Sequence, residues 1–379
     1  MKVLYDYQTF YMHKFGGISN CFVQLVKNFT EEVECEIAVC ESDNIHLSES
    51  GLVNVEKMRN PPEEFILKKH FKGQVRLYNK FSKFFPQMTS LGRNRLKSIE
   101  ALKRGDYDVF HPTFYDDYFL PYLGKHPFVL SIYDMISEHF FPYNDFQSSM
   151  KRKLVKSASH IMAISEKTKE DVMDFLHIPE DKITVIYLGA PDVPMTSIEP
   201  IIPGDYLLFV GNREGYKNFR PMIRDVAPVL KRHNNLKMVC TGVSFTKDET
   251  DIFTSLGITD KMIHFHPSDG ELRNLYANAL CFIFPSLYEG FGIPILEAWQ
   301  SKCPVLLNKK SCFPEIAQDA AIYFTLDNMT SNLEEVLESY LHMTNAEKGN
   351  LIMRQSERLT FFSWKKSAEQ LMLIYNKVL

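Results

Sequence analysis

The chain has 379 residues, 45% hydrophobic and 24% charged, with a formal net charge of −4. That length exceeds one ordinary hydrophobic core and points to two domains, and the composition is that of a globular protein. No run of 18 apolar residues occurs, so no transmembrane helix is expected. The seven cysteines form no CxxC pair and read as reduced, buried thiols.

Residues 3–5 read as a first strand, and the opening MKVLYDYQTF lacks the long apolar core of a signal peptide. Gly16 and Gly17 follow, then Ser19 or Asn20 as a cap, then Phe22, Leu25, Val26 and Phe29 at helical spacing. A strand, a glycine pair and a helix N-terminus make an anion-friendly corner; a plain tight turn is the alternative. No GxGxxG occurs, so a dinucleotide-binding oxidoreductase finds no support.

Residues 34–39 are another strand. Between Lys68 and Arg104 stand eleven basic residues against one acid, Glu100, with Phe71, Leu77, Tyr78, Phe81, Phe84, Phe85, Met88 and Leu91 interleaved. This segment is either an amphipathic helix with its apolar face in the core, or a surface for an anionic membrane or lipid-linked acceptor. Nucleic acid is a third reading and not the expected partner. Asp106-Tyr107-Asp108 spells DxD, a metal-binding pattern when it follows a strand. Here it precedes one, at 107–110, so a solvated turn is expected, with no catalytic metal and no cofactor.

The strands at 107–110 and 128–132 end in His111, Pro112 and Thr113, and in Tyr133 and Asp134. Strand C-termini carry function in open α/β sheets, so Gly16, Gly17, His111, Thr113, Tyr133 and Asp134 are expected on one rim. Residues 148–159 read as a surface helix, 160–164 as a strand, Ser165 as the next cap and 183–187 as the last strand of this half. Four prolines and two glycines within 189–204 mark a linker.

Residues 206–210 open a second α/β unit. Gly211, Asn212 and Arg213 turn out of its strand, and Lys217 and Asn218 precede a helix over 222–230. Arginine and lysine beside a helix N-terminus suit a diphosphate clamp; a solvated basic turn is the alternative. Strands follow at 236–240 and 262–266, and Ser268 or Asp269 caps the helix ELRNLYANA. The stretch FIFPSLYEGFGIPILE, 282–297, then forms a strand, a glycine loop and a helix N-terminus. Amides of Gly290, Phe291, Gly292 and Ile293 are placed to bind a diphosphate. Glu289 in the loop can reach a sugar, and Glu297, about one turn into the helix, can accept from a ribose diol. A βα turn with two solvated glutamates has the same spacing.

The pair Glu289 and Glu297, spelled EGFGIPILE, resembles the Glu-x7-Glu signature of the retaining GT-B glycosyltransferases of family 4. GNREGYKN at 211–218, IMAISEKTKEDV at 161–172, Pro314-Glu315 and FFSWKKSAEQLMLIY at 361–375 extend the resemblance over most of the chain. It implies an α/β GT-B fold: two Rossmann-like parallel-sheet domains facing a central cleft. The acceptor-side domain would span 1–190, joined by a C-terminal helix at 361–379; the nucleotide-sugar domain would span 191–360. It implies a metal-independent hexosyltransferase that moves a sugar from a GDP-mannose-type or UDP-sugar donor, with retention, to a glycan or lipid-linked saccharide. Its setting would be surface polysaccharide assembly, in the cytoplasm or at the inner membrane leaflet.

The resemblance places Gly16, Gly17 and Gly211 against the donor, Arg213 and Lys217 on the departing diphosphate, Glu289 on the sugar and Glu297 on the ribose. It also exposes a departure. Family members commonly carry His-Asp where this chain has Tyr133-Asp134, and a phenol of pKa about 10 is no base at neutral pH. His111 is either a substitute or a structural histidine, and in a front-face mechanism the leaving phosphate takes the acceptor proton. A GT-B enzyme of another reaction, an epimerase or a synthase, and a non-catalytic sugar-binding protein remain as other readings.

Overall fold

A computed structural model describes residues 1–58, 85, 87, 89–141, 146–191, 197, 199–213 and 215–379. Most of the aromatic part of the basic segment, including 68–84, lies outside the described residues, as does the middle of the 189–204 stretch. The described chain forms two compact units. The first comprises Met1–Ile164, Lys169–Ile186 and Trp364–Leu379; the second comprises Ser165–Thr168 and Tyr187–Ser363.

In the first unit β1 (Lys2–Tyr5), β2 (Glu34–Ile37) and β3 (Val109–His111) pair in parallel, as do β4 (Val129–Ile132), β5 (His160–Ala163) and β6 (Ile183–Val185). A parallel bridge from Phe110 to Phe128 joins the two sets, giving the order 2-1-3-4-5-6. Strands β3, β4 and β5 are buried along their whole length, because a parallel sheet is covered on both faces. The direction of strand addition reverses between β1 and β3, so the rim above those two strands is where such sheets hold ligands. Helix α1 (Gly17–Lys27) covers the sheet with Cys21, Phe22, Val23 and Leu25.

The C-terminal helix, Trp364–Val378, belongs to this unit and buries Ala368, Leu371, Ile374 and Tyr375. A buried polar chain ties it to the sheet. The Tyr375 hydroxyl is 2.7 Å from the Tyr5 hydroxyl and 2.6 Å from His111 Nδ1, while His111 Nε2 is 2.8 Å from Ser131 Oγ. His111 is fully buried, and burial pushes its pKa down to about 3. It is a core histidine and not a rim residue, because Nδ1 is engaged by Tyr375 of the C-terminal helix and Nε2 by Ser131 of β4.

One other expectation changes in the first unit. Helix α2 (Ser90–Arg104) carries part of the basic stretch, and α3 (Ile136–Phe140) precedes α4 (Phe146–Ser157). On α4, read as a surface helix, Lys151 is fully buried. Its ammonium donates to Glu138 Oε2 at 3.1 Å and to the Asp134 carbonyl at 2.8 Å, and it lies over the Tyr115 ring. The DxD carboxylates are also taken: Asp106 pairs with Lys2 and Arg104, and Asp108 accepts from the Lys2 amide.

The second unit holds β7 (Tyr206–Phe209), β8 (Lys237–Cys240), β9 (Met262–His264), β10 (Cys281–Phe284), β11 (Val305–Asn308) and β12 (Ile322–Phe324). All pair in parallel in the order β12-β11-β10-β7-β8-β9. This is the doubly wound 3-2-1-4-5-6 order, whose reversal lies between β7 and β10. Helix α5 (Phe219–Arg232) packs Met222, Ile223, Val226 and Leu230 against Leu207, Met238 and Ile283.

Tyr375→Phe removes the hydroxyl that His111 and Tyr5 share. A buried group left without its partner costs about 1–3 kcal/mol. The variant is expected to lose that much unfolding free energy in a urea titration; a loss below about 0.5 kcal/mol would contradict the role given to this chain of groups.

Candidate functional site

The loops that follow β7 and β10 meet at the reversal point of the second sheet. Their backbones are joined where Leu287 N–H donates to the Tyr216 carbonyl at 2.8 Å. Lys217, after β7, and Glu289, after β10, form an ion pair there: Nζ to Oε1 is 2.7 Å, with side chains 19% and 13% exposed. Both backbone groups of Glu289 are held by Ser311, whose hydroxyl donates to the Glu289 carbonyl at 2.7 Å and accepts from its N–H at 3.1 Å. Beneath them Asn308, fully buried at the end of β11, donates to the carbonyls of Pro285 and Leu326.

The glycine loop is equally constrained. Gly292 has φ +89° and caps α6 (Ile293–Gln300), with Pro294 in its first turn. A Cβ there would sit 3.1 Å from Ile295 Cδ1 and 3.2 Å from the Phe313 ring. The Gly290 carbonyl accepts from Ser165 Oγ at 2.6 Å and from Thr168 Oγ1 at 3.3 Å. Phe291 is buried, its ring against Phe362 and Tyr187, so its side chain anchors the loop and only its backbone is left to serve a ligand. Ile293 is partly buried at the start of the helix.

Glu297 lies on the second turn of α6. Its Oε2 accepts from the Tyr276 hydroxyl at 3.3 Å. Burial pushes its pKa up to about 7, against the smaller opposing effect of that hydrogen bond; Asp269 raises it further and Arg273 lowers it. A carboxyl so placed lacks strong donors, and a ligand that brings hydroxyl groups to it supplies what the protein does not.

Arg213 departs from the expected clamp. It is 4% exposed, and its guanidinium is taken up by protein acceptors. Nε donates to Glu249 Oε1 at 2.7 Å, Nη1 to the Thr241 carbonyl at 3.1 Å, and Nη2 to the Val243 and Ser244 carbonyls at 2.6 and 3.0 Å. The rings of Phe219 and Phe245 flank it. Burial opposes ionisation of Glu249, but the Arg213 guanidinium and the Thr246 N–H outweigh it and hold that carboxyl below its usual value. Arg213 thus braces the loop after β7 against the loop after β8. The two backbones also touch directly: Gly211, at φ +110°, takes its N–H to Thr241 Oγ1, and a Cβ on Gly242 would meet the Gly211 carbonyl at 2.9 Å.

In the first unit Gly16 and Gly17 stand at the start of α1, beyond a short helix at Gln8–Met12, and Tyr133 and Asp134 directly follow β4. Gly16 is extended at φ −173°, so its conformation does not demand glycine, and a Cβ on Gly17 would meet nothing within 4 Å. Tyr133 is buried, its hydroxyl 3.8 Å from Cys21 Sγ, and burial raises its pKa well above the usual value. Asp134 is half-exposed, and its Oδ1 accepts from the Ile136 N–H at 3.0 Å.

Three residues that shape the second-unit site escaped sequence reasoning: Ser311, Glu249 and Tyr276. Glu249 had a visible signal, the Thr246-x-x-Glu249 capping box, but that pattern speaks only of a helix start. Ser311 sits at φ +52°, and nothing local announces it.

Residues 15–192 match the model of Glycosyltransferase Family 4, and residues 203–352 match that of Glycosyl transferases group 1. The structure of Anabaena HepE in complex with UDP and glucose superposes with a TM-score of 0.69, 15% identity and full coverage of both chains, which establishes the GT-B fold. Together the two matches cover most of the chain and support a group 1 glycosyltransferase of GT-B fold. Among curated proteins it is 28% identical over 198 residues to the O-antigen chain mannosyltransferase RfbU of Salmonella typhimurium, covering 50% of this chain and 55% of that one. It is 24% identical over 261 residues to the GDP-mannose:cellobiosyl-diphosphopolyprenol alpha-mannosyltransferase of Xanthomonas oryzae, covering 65% and 68%. The chain spans about half of the length of RfbU.

Glu297 carries a signed pH prediction. Its folded pKa of about 7 lies above the ordinary 4.5, so its contribution to stability is present below pH 4.5 and is lost as pH rises through 7. Glu297→Gln is therefore expected to gain on wild type by about 2–3 kcal/mol between pH 5 and pH 8, read from urea midpoints; a pH-independent difference would refute the shifted carboxyl. Arg213→Ala strands Glu249 in the interior and is expected to cost about 3–5 kcal/mol in the same measurement, an outcome that a solvated arginine would not produce.

Proposed function

We propose that this chain transfers a hexosyl group from a nucleoside-diphosphate sugar to a saccharide acceptor in the assembly of a surface polysaccharide. The observation that carries the reading is the meeting of Lys217 and Glu289 at the reversal point of the second sheet, with Glu297 on the second turn of the adjoining helix. Cation, glycine-loop amides and helix N-terminus supply positive potential for a diphosphate. Two carboxylates supply acceptors for a sugar and a ribose.

In this reading Lys217 and the amides of Gly290 to Gly292 stabilise the charge that grows on the departing diphosphate, and such electrostatic stabilisation does most to lower the barrier in this kind of transfer. Glu289 holds sugar hydroxyls and Glu297 holds the ribose diol. Arg213 acts through the loop it braces, not on the phosphate. Transfer proceeds with retention: the bond from the anomeric carbon to phosphate oxygen breaks, and the bond to the acceptor oxygen forms on the same face. The acceptor proton passes to the departing phosphate oxygen. Two observations support that route over a histidine base: Tyr133 stands after β4, and His111 is buried with its pKa held near 3. Divalent metal has no part in this chemistry, since Lys217 and the amides meet the phosphate charge.

A GDP-mannose-type donor is favoured, because the relatives named above are mannosyltransferases; a UDP-sugar is the second choice. The name of the Xanthomonas relative favours a saccharide on a lipid diphosphate as acceptor. An enzyme acting on such an acceptor works at the cytoplasmic face of a membrane, and no described helix is long and apolar enough to cross one. The basic stretch from Lys68 to Arg104 is the proposed contact with that surface.

Transfer from radiolabelled GDP-mannose and UDP-glucose to membrane-extracted lipid-linked saccharides tests the proposal. Lys217→Ala is expected to lower the rate at least about 100-fold in a protein that still folds, as read from its circular dichroism spectrum. A rate within about twofold of wild type would sink the assignment of Lys217.

A further inference from the structure

We propose that the Lys217–Glu289 ion pair is a contact that the donor must open and that its loss of sugar lets close: Glu289 competes with the diphosphate for Lys217 and so favours departure of the spent nucleotide. The inference rests on the reading of this site as one for a nucleoside-diphosphate sugar. It gives Glu289 a role in product release beyond holding the sugar.

At 2.7 Å the Lys217 ammonium is committed to Glu289, and both side chains are largely shielded from solvent, where an ion pair is screened less than at an exposed surface. The backbone of Glu289 cannot retreat, because Ser311 grips its N–H and its carbonyl. Only the carboxylate can swing. The ammonium also lies over the rings of Tyr216 and Phe284, 5.2 and 5.8 Å from their centroids. A diphosphate that takes Lys217 therefore leaves a carboxylate short of its cation and close to a polyanion.

What the incoming ligand offers that carboxylate decides the balance. A nucleotide that carries a sugar brings hydroxyl donors, and Glu289 exchanges an ammonium for them. A bare nucleoside diphosphate brings none to Glu289, its ribose hydroxyls lying at Glu297, so the freed carboxylate repels it and draws Lys217 back. Once the sugar has gone to the acceptor, the same residue that held it turns against the product. The site thereby separates substrate from product by the presence of the hydroxyls alone.

Isothermal titration with GDP, UDP, GDP-mannose and UDP-glucose tests this on wild type, Glu289→Gln, Lys217→Met and the double variant. Wild type is expected to prefer the sugar nucleotide over its bare diphosphate. Glu289→Gln is expected to bind the bare diphosphate about fivefold tighter and to lose the preference for the sugar form. Lys217→Met is expected to bind the bare diphosphate at least tenfold more weakly, and adding Glu289→Gln to it to recover less than the about fivefold gain that it gives in wild type. Glu289→Ala gives the same sign should the glutamine variant not fold. Binding of the bare diphosphate that is unchanged or weaker in both Glu289 variants overturns the inference while leaving the site reading intact. Failure of wild type to bind any of the four nucleotides overturns the site reading itself, and the inference with it.

Discussion

The ion pair between Lys217 and Glu289 exists because strands β7 and β10 are neighbours. Those strands are separated by more than 70 residues of chain, yet the doubly wound order brings their C-terminal ends side by side. Parallel strands must be joined by crossovers, so each strand end opens into a loop on the same rim. At the reversal point the two loops face each other with no crossover helix between them. That constraint puts a cation and a carboxylate within 2.7 Å, and the rest of the second unit serves to hold them there.

The holding is done by groups whose hydrogen bonds run to the protein itself. Asn308 and Ser311 fix the loop after β10 by hydrogen bonds to its backbone, and the Arg213–Glu249 pair fixes the loop after β7 to its other neighbour. Buried ion pairs add little net stability, but they cost much when one partner is removed. Arg213, held by Glu249 and three backbone carbonyls, is thus a rigid brace, and rigidity is what a site needs when its catalysis rests on preorganised charge.

Much of this was legible in the sequence. The buried run Cys281–Phe284, the loop of Glu289 to Gly292 and the proline at the helix start announce strand, turn and helix through composition alone. The alternation of strands and helices announces parallel sheets. Where reading failed, the reason was long-range. Arg213 beside Lys217 looks like half of a phosphate clamp until its guanidinium meets Glu249, 36 residues away. His111 looks like a rim residue until a tyrosine from the C-terminal helix, 264 residues on, takes its Nδ1. Lys151 looks solvated in a basic helix until Glu138 closes on it. In each case the local pattern was polar, and the partner that buried it came from another element.

The second unit is proposed to bind a nucleoside diphosphate through this site. The most direct test is thermal unfolding of wild type and Glu297→Ala with GDP, UDP, ADP and dTDP. At about 100 times its dissociation constant a ligand adds about 2.7 kcal/mol, which raises the midpoint by a few degrees. Such a rise is expected with one nucleotide, diminished in Glu297→Ala. No rise with any of the four, or a rise that Glu297→Ala leaves intact, would contradict it.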